Sequence, residues 1–221
     1  MITNLQYRFA GRSAIASGIA GMLAAVFLLI HFSFHHGEDA GQAVLFLKFR
    51  EGLAVLQFLL LIPVAIALYH IVQKSTYRVE RNTLAIGIGA LVTAALFAVL
   101  AIPGILSDIL YLFPQGVFGV WLIFISLRLK GQQSKALIRL GIAIGTALAI
   151  AGIFPIGYAM FVDTIILQIP APNDALKKVA TDMPANSILH SMLGIGVIGV
   201  LLLPVWTILT GVKLLREKIN P

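Results

Sequence analysis

The chain alternates between long apolar stretches and short polar ones. Cutting at charged, histidine and proline boundaries leaves six apolar segments, at about 14–34, 52–72, 83–102, 109–127, 140–162 and 191–212. Each approaches the roughly 20 residues that an α-helix needs to cross a hydrocarbon core about 30 Å thick. None shows the two-residue alternation of a half-buried strand, and an isolated strand could not satisfy its backbone in lipid. The pattern therefore predicts an all-α fold, a single-domain polytopic membrane bundle of six transmembrane helices, and six up-and-down spans make three helical hairpins. The first segment is too long for the apolar region of a signal peptide, and "HFSFHH" from His31 is no small-residue cleavage site.

Two connections are longer than tight turns. The segment 163–189 contains "PNDALKKVATDMP", where Asn173 can cap a short helix that stops before Pro184. Its length predicts a partly helical cap over one end of the bundle. The stretch "GEDAGQAVLFLKFREG", from Gly37 to Gly52, is amphipathic enough to be predicted at the interface before the second span turns inward.

Composition strengthens the membrane reading. The chain is 59% hydrophobic and 11% charged, with a mean hydropathy of +0.98, whereas a soluble domain carries about 25% charged residues. So few charges could not cover a globular surface in water, and a lipid bilayer removes the difficulty. The net charge of +7 does not point to nucleic acid, because the basic residues lie at the ends of apolar segments rather than on one soluble face. With no cysteine in the chain, disulfides, thiolate metal sites and cysteine nucleophiles are excluded.

The charges also predict an orientation. Arg8, Arg12, Lys74, Arg78, Arg81, Arg128, Lys130, Lys135, Arg139, Lys213, Arg216 and Lys218 fall on one side, 12 of the 16 basic residues, with Glu80 and Glu217, a net +10. Lys48, Arg50, Lys177 and Lys178 fall on the other with seven acids, Glu38, Asp39, Glu51, Asp108, Asp163, Asp174 and Asp182, a net −3. The positive-inside rule places both termini in the cytoplasm and the chain in the cell membrane.

The odd-numbered segments begin alike, with "RSAIASGIAG" at Arg12, "RNTLAIGIGA" at Arg81 and "RLGIAIGTAL" at Arg139; "VWLIFISLRL" from Val120 matches "VWTILTGVKL" from Val205. Duplication of a hairpin explains this, and so does the shared composition of apolar segments with basic inner ends. Small residues at four-residue spacing, Ser17/Gly21 and Gly141/Gly145, predict close backbone approach between helices. Read together, "AGRSAIASGIAGMLAAVFLL", "LIPVAIALYHIVQ", "GVFGVWLIFISLRLKGQQSKALIRLGIAIG" and "LPVWTILTGVKLL" resemble an uncharacterised bacterial family of six-span integral membrane proteins, a domain of unknown function. The likeness covers most of the chain. It implies a fold and carries no activity and no site residue.

The candidate chemistry gathers on the outer side. His31 and His35 are four apart on one helix face, a metal-ligand spacing, and His190 opens the last span on the same side. These three imidazoles could hold a metal ion or a single haem. They are also what is commonly found where a helix leaves hydrocarbon for water, and that simpler account carries more weight. His31 lies about 6 Å deeper than His35 at 1.5 Å per residue, so it is predicted to face the bundle interior. His70 has no histidine at its depth, which excludes a pair of haems stacked across the bilayer. Glu51, Asp108, Gln115 and Asp163 form a second candidate, a polar site for a small molecule or ion, with Gln57 also deep in a span; Asp108 and Asp163 at headgroup level is the simpler alternative. Pro63, Pro114, Pro155 and Pro204 interrupt four spans, which lines binding sites in transporters and merely kinks helices elsewhere. "GIGVIG" from Gly194 sits inside a span with no strand before it and is no dinucleotide fingerprint.

Three functions follow from these features. The first is a bundle that binds or moves a small molecule or ion through the outer polar site. The second is a non-catalytic accessory or structural subunit, as a homo-oligomer or in a membrane complex. The third is a metal-dependent membrane hydrolase using His31, His35 and His190.

Overall fold

The computed structural model describes residues 4–34, 40–73, 79–172, 179 and 187–216, without the side chains of 4, 31–34 and 40–44. Six α-helices account for most of these residues: α1 (Asn4–Phe34), α2 (Ala40–Gln73), α3 (Arg81–Ala101), α4 (Leu112–Arg128), α5 (Lys135–Phe161) and α6 (Ser187–Arg216). One turn of 3-10 helix, Thr164–Leu167, follows α5. Among the described residues there is no strand. The fold is thus the all-helical bundle that the apolar pattern predicts. Local chemistry fixes several helix ends. Ser134 caps α5 by accepting the Leu137 N–H. Arg128 closes α4, and Lys213 and Arg216 close α6, where the negative end of the helix dipole favours them.

The helices differ from the predicted spans in informative ways. Five are long and apolar enough to cross a membrane; α4, with 17 residues, falls short of that length. Residues 109–111, expected inside the fourth span, belong instead to a string of turns that joins α3 to α4. Pro114 then lies in the first turn of α4, where the backbone N–H it lacks would have had no helical partner, so it starts this helix rather than interrupting it. Pro63, Pro155 and Pro204 do lie inside α2, α5 and α6. The stretch from Ala40 to Gly52 is no separate interfacial segment: it is the first part of the continuous 34-residue α2. Leu45, Phe46 and Leu47 carry the apolar character upward, and Phe27 of α1 stacks between Phe46 and Phe49, so helix–helix packing extends past the predicted boundary. The middle of the expected 163–189 cap, including Asn173 and Pro184, lies outside the described residues; Val179 is 2% exposed and joins the core.

Each helix packs against its neighbours in chain order, and α6 closes the ring against α1, while α2 also touches α4 across the middle. Neighbours are antiparallel. Gly21 of α1 meets Gln57 of α2, Gly116 and Gly119 of α4 meet Gly152 and Gly145 of α5, and Gly196 and Gly199 of α6 meet Ala151 and Ala147 of α5. The ring closes where Gly11 of α1 meets Gly211 of α6. Within lipid there is no hydrophobic gain in pressing one apolar helix on another, so close van der Waals contact must hold the bundle, and small residues permit it. Phe118, Leu122, Ile125, Ile144, Leu148, Phe154, Tyr158 and Trp206 fill the centre, each at 2% exposure or less.

The unequal lengths shape one end. At 1.5 Å per residue α4 is about 26 Å long, whereas α1, α2, α5 and α6 run to about 40–51 Å. The basic ends lie together, so the turn region between α3 and α4 ends below the rim formed by the other helices at the opposite, acidic end. Residues 102–111 fold back into this notch. Gly104 takes a left-handed conformation, φ 77°, that an L side chain would strain. The Ala171 N–H donates to the carbonyls of Gly104 and Ile105, which ties the segment after the 3-10 turn to the same notch.

Candidate polar site at the acidic end

Two buried stripes meet in the middle of the bundle. On α2, Arg50, Ala54, Gln57, Leu61, Val64 and Leu68 follow three- and four-residue spacing, which keeps them on one face. On α4 and the turn before it, Tyr111, Gln115, Phe118, Leu122 and Ile125 do the same, each 5% exposed or less. Where the stripes reach the notch their character turns polar. The Arg50 guanidinium donates to the Tyr111 hydroxyl and lies over the same ring, 5.3 Å from its centroid. Phe58, two turns further along α2, packs its ring 6.2 Å from that of Tyr111. Tyr111 is therefore held between a cation and an aromatic ring.

Two carboxylates complete the cluster. Glu51 is 3% exposed, and Asp108 is half-buried in the turn region. Both lie close enough to Arg50 for their charges to act on it, and Glu51 also experiences Asp108 and the exposed Lys48. Ser107, 4% exposed, precedes Asp108, and Gln115, 3% exposed, lies one turn beyond Tyr111. The Ser107 Oγ and Gln115 Oε1 atoms have no hydrogen-bond partner. A buried polar atom left so costs about 1–3 kcal/mol. Gln57, on the same α2 stripe as Arg50, faces α1: its side chain covers Gly21, and its backbone carbonyl accepts the Ser17 hydroxyl at 3.1 Å.

The fold thus draws together Glu51 and Asp108 and sets Gln115 one turn away from Tyr111. Asp163 has a structural task, since its carboxylate caps the 3-10 turn by accepting the Ile165 N–H at 3.0 Å. His190 is exposed at the start of α6. His35 and the side chain of His31 lie outside the described residues, and so does the predicted inward face of His31. Among the described residues no three His, Asp or Glu side chains gather as a metal-binding group. Trp121 and Trp206 are buried packing residues; the Trp121 ring lies on Gly87 of α3 and stacks on Phe118.

Sequence reasoning missed Arg50, Tyr111 and Ser107. In the sequence Arg50 reads as a loop charge, because a charged pair next to an apolar run ordinarily marks the water boundary. The usable signal was the spacing: Arg50 stands seven residues before Gln57, so the two share a helical face if the helix continues through Gly52. Tyr111 had no such signal, since its role depends on where α4 begins.

Around this cluster the helices present apolar faces, which are compatible with a multi-pass membrane protein. No protein-family model, curated protein or solved structure matches the chain, so no family is assigned.

Proposed function

We propose that this protein is a multi-pass cell-membrane protein that binds, or moves, a small polar molecule or ion at the cluster of Arg50, Glu51, Asp108, Tyr111 and Gln115. The observation that supports the reading is a set of three buried or half-buried charged groups in a bundle whose core, among the described residues, otherwise buries only apolar and uncharged polar side chains. Charged groups at membrane depth are expensive and are retained chiefly where they serve a site. The cluster is about 26 Å from the basic end of α4, close to one hydrocarbon thickness. It therefore sits near the far boundary of the bilayer, at the floor of the notch left by the short α4. Asp108 and Arg50, both half-buried, give it an edge that water can reach. The excess of basic residues at the other end supports a cytoplasmic location for both termini, which makes this an outward-facing site.

The absence of native cysteine makes the test clean. An Asp108→Cys chain, reconstituted in sealed liposomes, should react with a membrane-impermeant thiol reagent, because position 108 stands at the edge of the cluster and a solute site must be reached from water. A thiol that reacts only after denaturation would mean a sealed structural ion cluster and would overturn the reading.

A further inference from the structure

The basic end of the bundle gathers its charge at one corner. The Lys213 ammonium of α6 donates to the Gln132 carbonyl, in the connection between α4 and α5, at 2.8 Å. Three helix ends thus meet there. Arg128, Lys130 and Lys135 lie within four residues of Gln132; Arg139 follows Lys135 by about one turn of α5, and Arg216 follows Lys213 by about one turn of α6. Lys130, Lys135, Arg139 and Arg216 are exposed, and Arg128 and Lys213 are half-buried. α4, α5, α6 and the connection between α4 and α5 contain no Asp or Glu, and the acids next to the basic helix ends are Glu80, before α3, and Glu217, after α6. Six basic side chains therefore gather at an end of the bundle to which the sequence brings only two carboxylate side chains.

The outward faces of the same three helices give an independent observation. On α4, exposed Val120 and Phe124 lead to Arg128, whose guanidinium lies over the Phe124 ring, 5.2 Å from its centroid. On α5, exposed Thr146 and Ala143 lead to Arg139, and the Thr146 hydroxyl is satisfied within its own helix, donating to the Ile142 carbonyl at 2.9 Å. On α6, exposed Val205 and Leu209 lead to Lys213 and Arg216. Each step is three or four residues, so each row keeps to one helix face. All three helices thus turn outward a row of weakly polar or apolar side chains that ends in a base.

We propose that this corner binds an anionic phospholipid, with its phosphate among the bases of the α4–α5 connection and the end of α6, and its acyl chains along the outward rows. The inference goes beyond the polar site at the acidic end and rests only on the multi-pass membrane reading. The charge selects an anion, since basic clusters at the ends of membrane helices attract anionic headgroups. The rows select a lipid over a soluble polyanion, which would leave them uncovered. Long basic side chains lie along apolar surface while keeping their charged heads at the polar boundary. Arg128 does so over Phe124, which holds its charge at the edge of the apolar row and at the level a lipid phosphate occupies.

The test uses the full chain, purified in a nonionic detergent. Its thermal midpoint is measured at constant ionic strength in mixed micelles of rising phosphatidylglycerol or phosphatidylcholine content, with matched acyl chains. The proposal expects a saturable rise of several degrees with phosphatidylglycerol over phosphatidylcholine. One basic residue near an anionic surface contributes about fivefold to binding. Lys135→Gln combined with Arg139→Gln should therefore raise the half-saturating lipid fraction severalfold or abolish saturation. Arg8→Gln combined with Arg81→Gln, the same change of charge at exposed positions on α1 and α3, should leave the rise in place. Should the first pair fail to fold, native mass spectrometry of the unaltered chain, released from equimolar mixed micelles, should show phosphatidylglycerol retained in preference to phosphatidylcholine. Equal responses to the two lipids would overturn the proposal. So would equal losses in the two double variants, which would mean diffuse charge, and an equal rise with inorganic phosphate in place of lipid, which would mean a free-anion site. The Asp108→Cys labelling reads the opposite end of the bundle, so the polar site and the lipid corner can fail separately.

Discussion

Replacing Arg50 by Gln tests the central contact of the site and can be worked through from its geometry. The substitution removes the donor to the Tyr111 hydroxyl and the cation over that ring. It also moves the formal charge of the cluster from −1 to −2. A hydrogen bond from a charged donor contributes about 1.5–3 kcal/mol, and a partly exposed cation–π contact about 0.5–1. Stripping the partner from a fully buried charge costs about 3–5 kcal/mol. These figures overlap rather than add, and Arg50 and Asp108 are only half-buried. A loss of about 2–3 kcal/mol is expected for Arg50→Gln, against about 1 kcal/mol for Tyr111→Phe, which removes the hydroxyl and keeps every charge. Adding Asp108→Asn to Arg50→Gln returns the charge count to −1, so the double variant should recover at least about 1 kcal/mol relative to Arg50→Gln alone. Unfolding in mixed micelles, titrated with a denaturing detergent and followed by circular dichroism, measures all four chains. The electrostatic account is refuted if Arg50→Gln is no more destabilising than Tyr111→Phe, or if Asp108→Asn makes the Arg50→Gln chain still less stable.

The glycine contacts give a second prediction. A Cβ on Gly116 would stand 2.5 Å from the Cα of Gly152, where ordinary contact begins at 3.4 Å, so α4 and α5 must separate by about 0.9 Å. Gly116→Ala should cost about 1–3 kcal/mol in the same micelle assay, whereas Gly89→Ala, with nothing within 4 Å, should be neutral or stabilising by up to ~1 kcal/mol; equal effects at the two positions would contradict the proposed packing. A third prediction concerns the cap of α5: Ser134→Ala should cost about 0.5–1 kcal/mol, and Ser134→Asp should largely restore it, as read by the same midpoint. Fourth, single cysteines at the exposed positions Lys135 and Gln168 should label from opposite faces of intact cells, Gln168 from outside; labelling of both from outside would sink the orientation.

What the sequence determined by itself was the type of the elements. Lipid requires each spanning segment to satisfy its own backbone, so apolar length alone identifies helices, and among the described residues each apolar segment falls on a helix, five of them long enough to cross a membrane. Small residues such as Gly21, Gly145 and Gly141 marked contact faces for a similarly local reason, since a residue without bulk signals a close neighbour without naming it. The ends of α2 and α4 were not legible. In the apolar pattern Arg50 and Glu51 read as a boundary, and residues 109–111 read as the start of a span. Only the packing of α1 along the extended α2, and the turns anchored through Gly104 and Ala171, decided otherwise. Of the candidate site, Glu51, Asp108 and Gln115 were visible as polar residues near apolar runs, but nothing local could say that two of them share a neighbourhood with Arg50 and Tyr111. That neighbourhood joins residues about sixty positions apart, through a contact between non-consecutive helices, and it exists because a short α4 leaves a notch into which the long α2 projects its charged turn. Helix identity is written in local hydrophobicity; the meeting of Arg50 with Tyr111 is decided by relative helix length and ring order, which are properties of the assembled bundle.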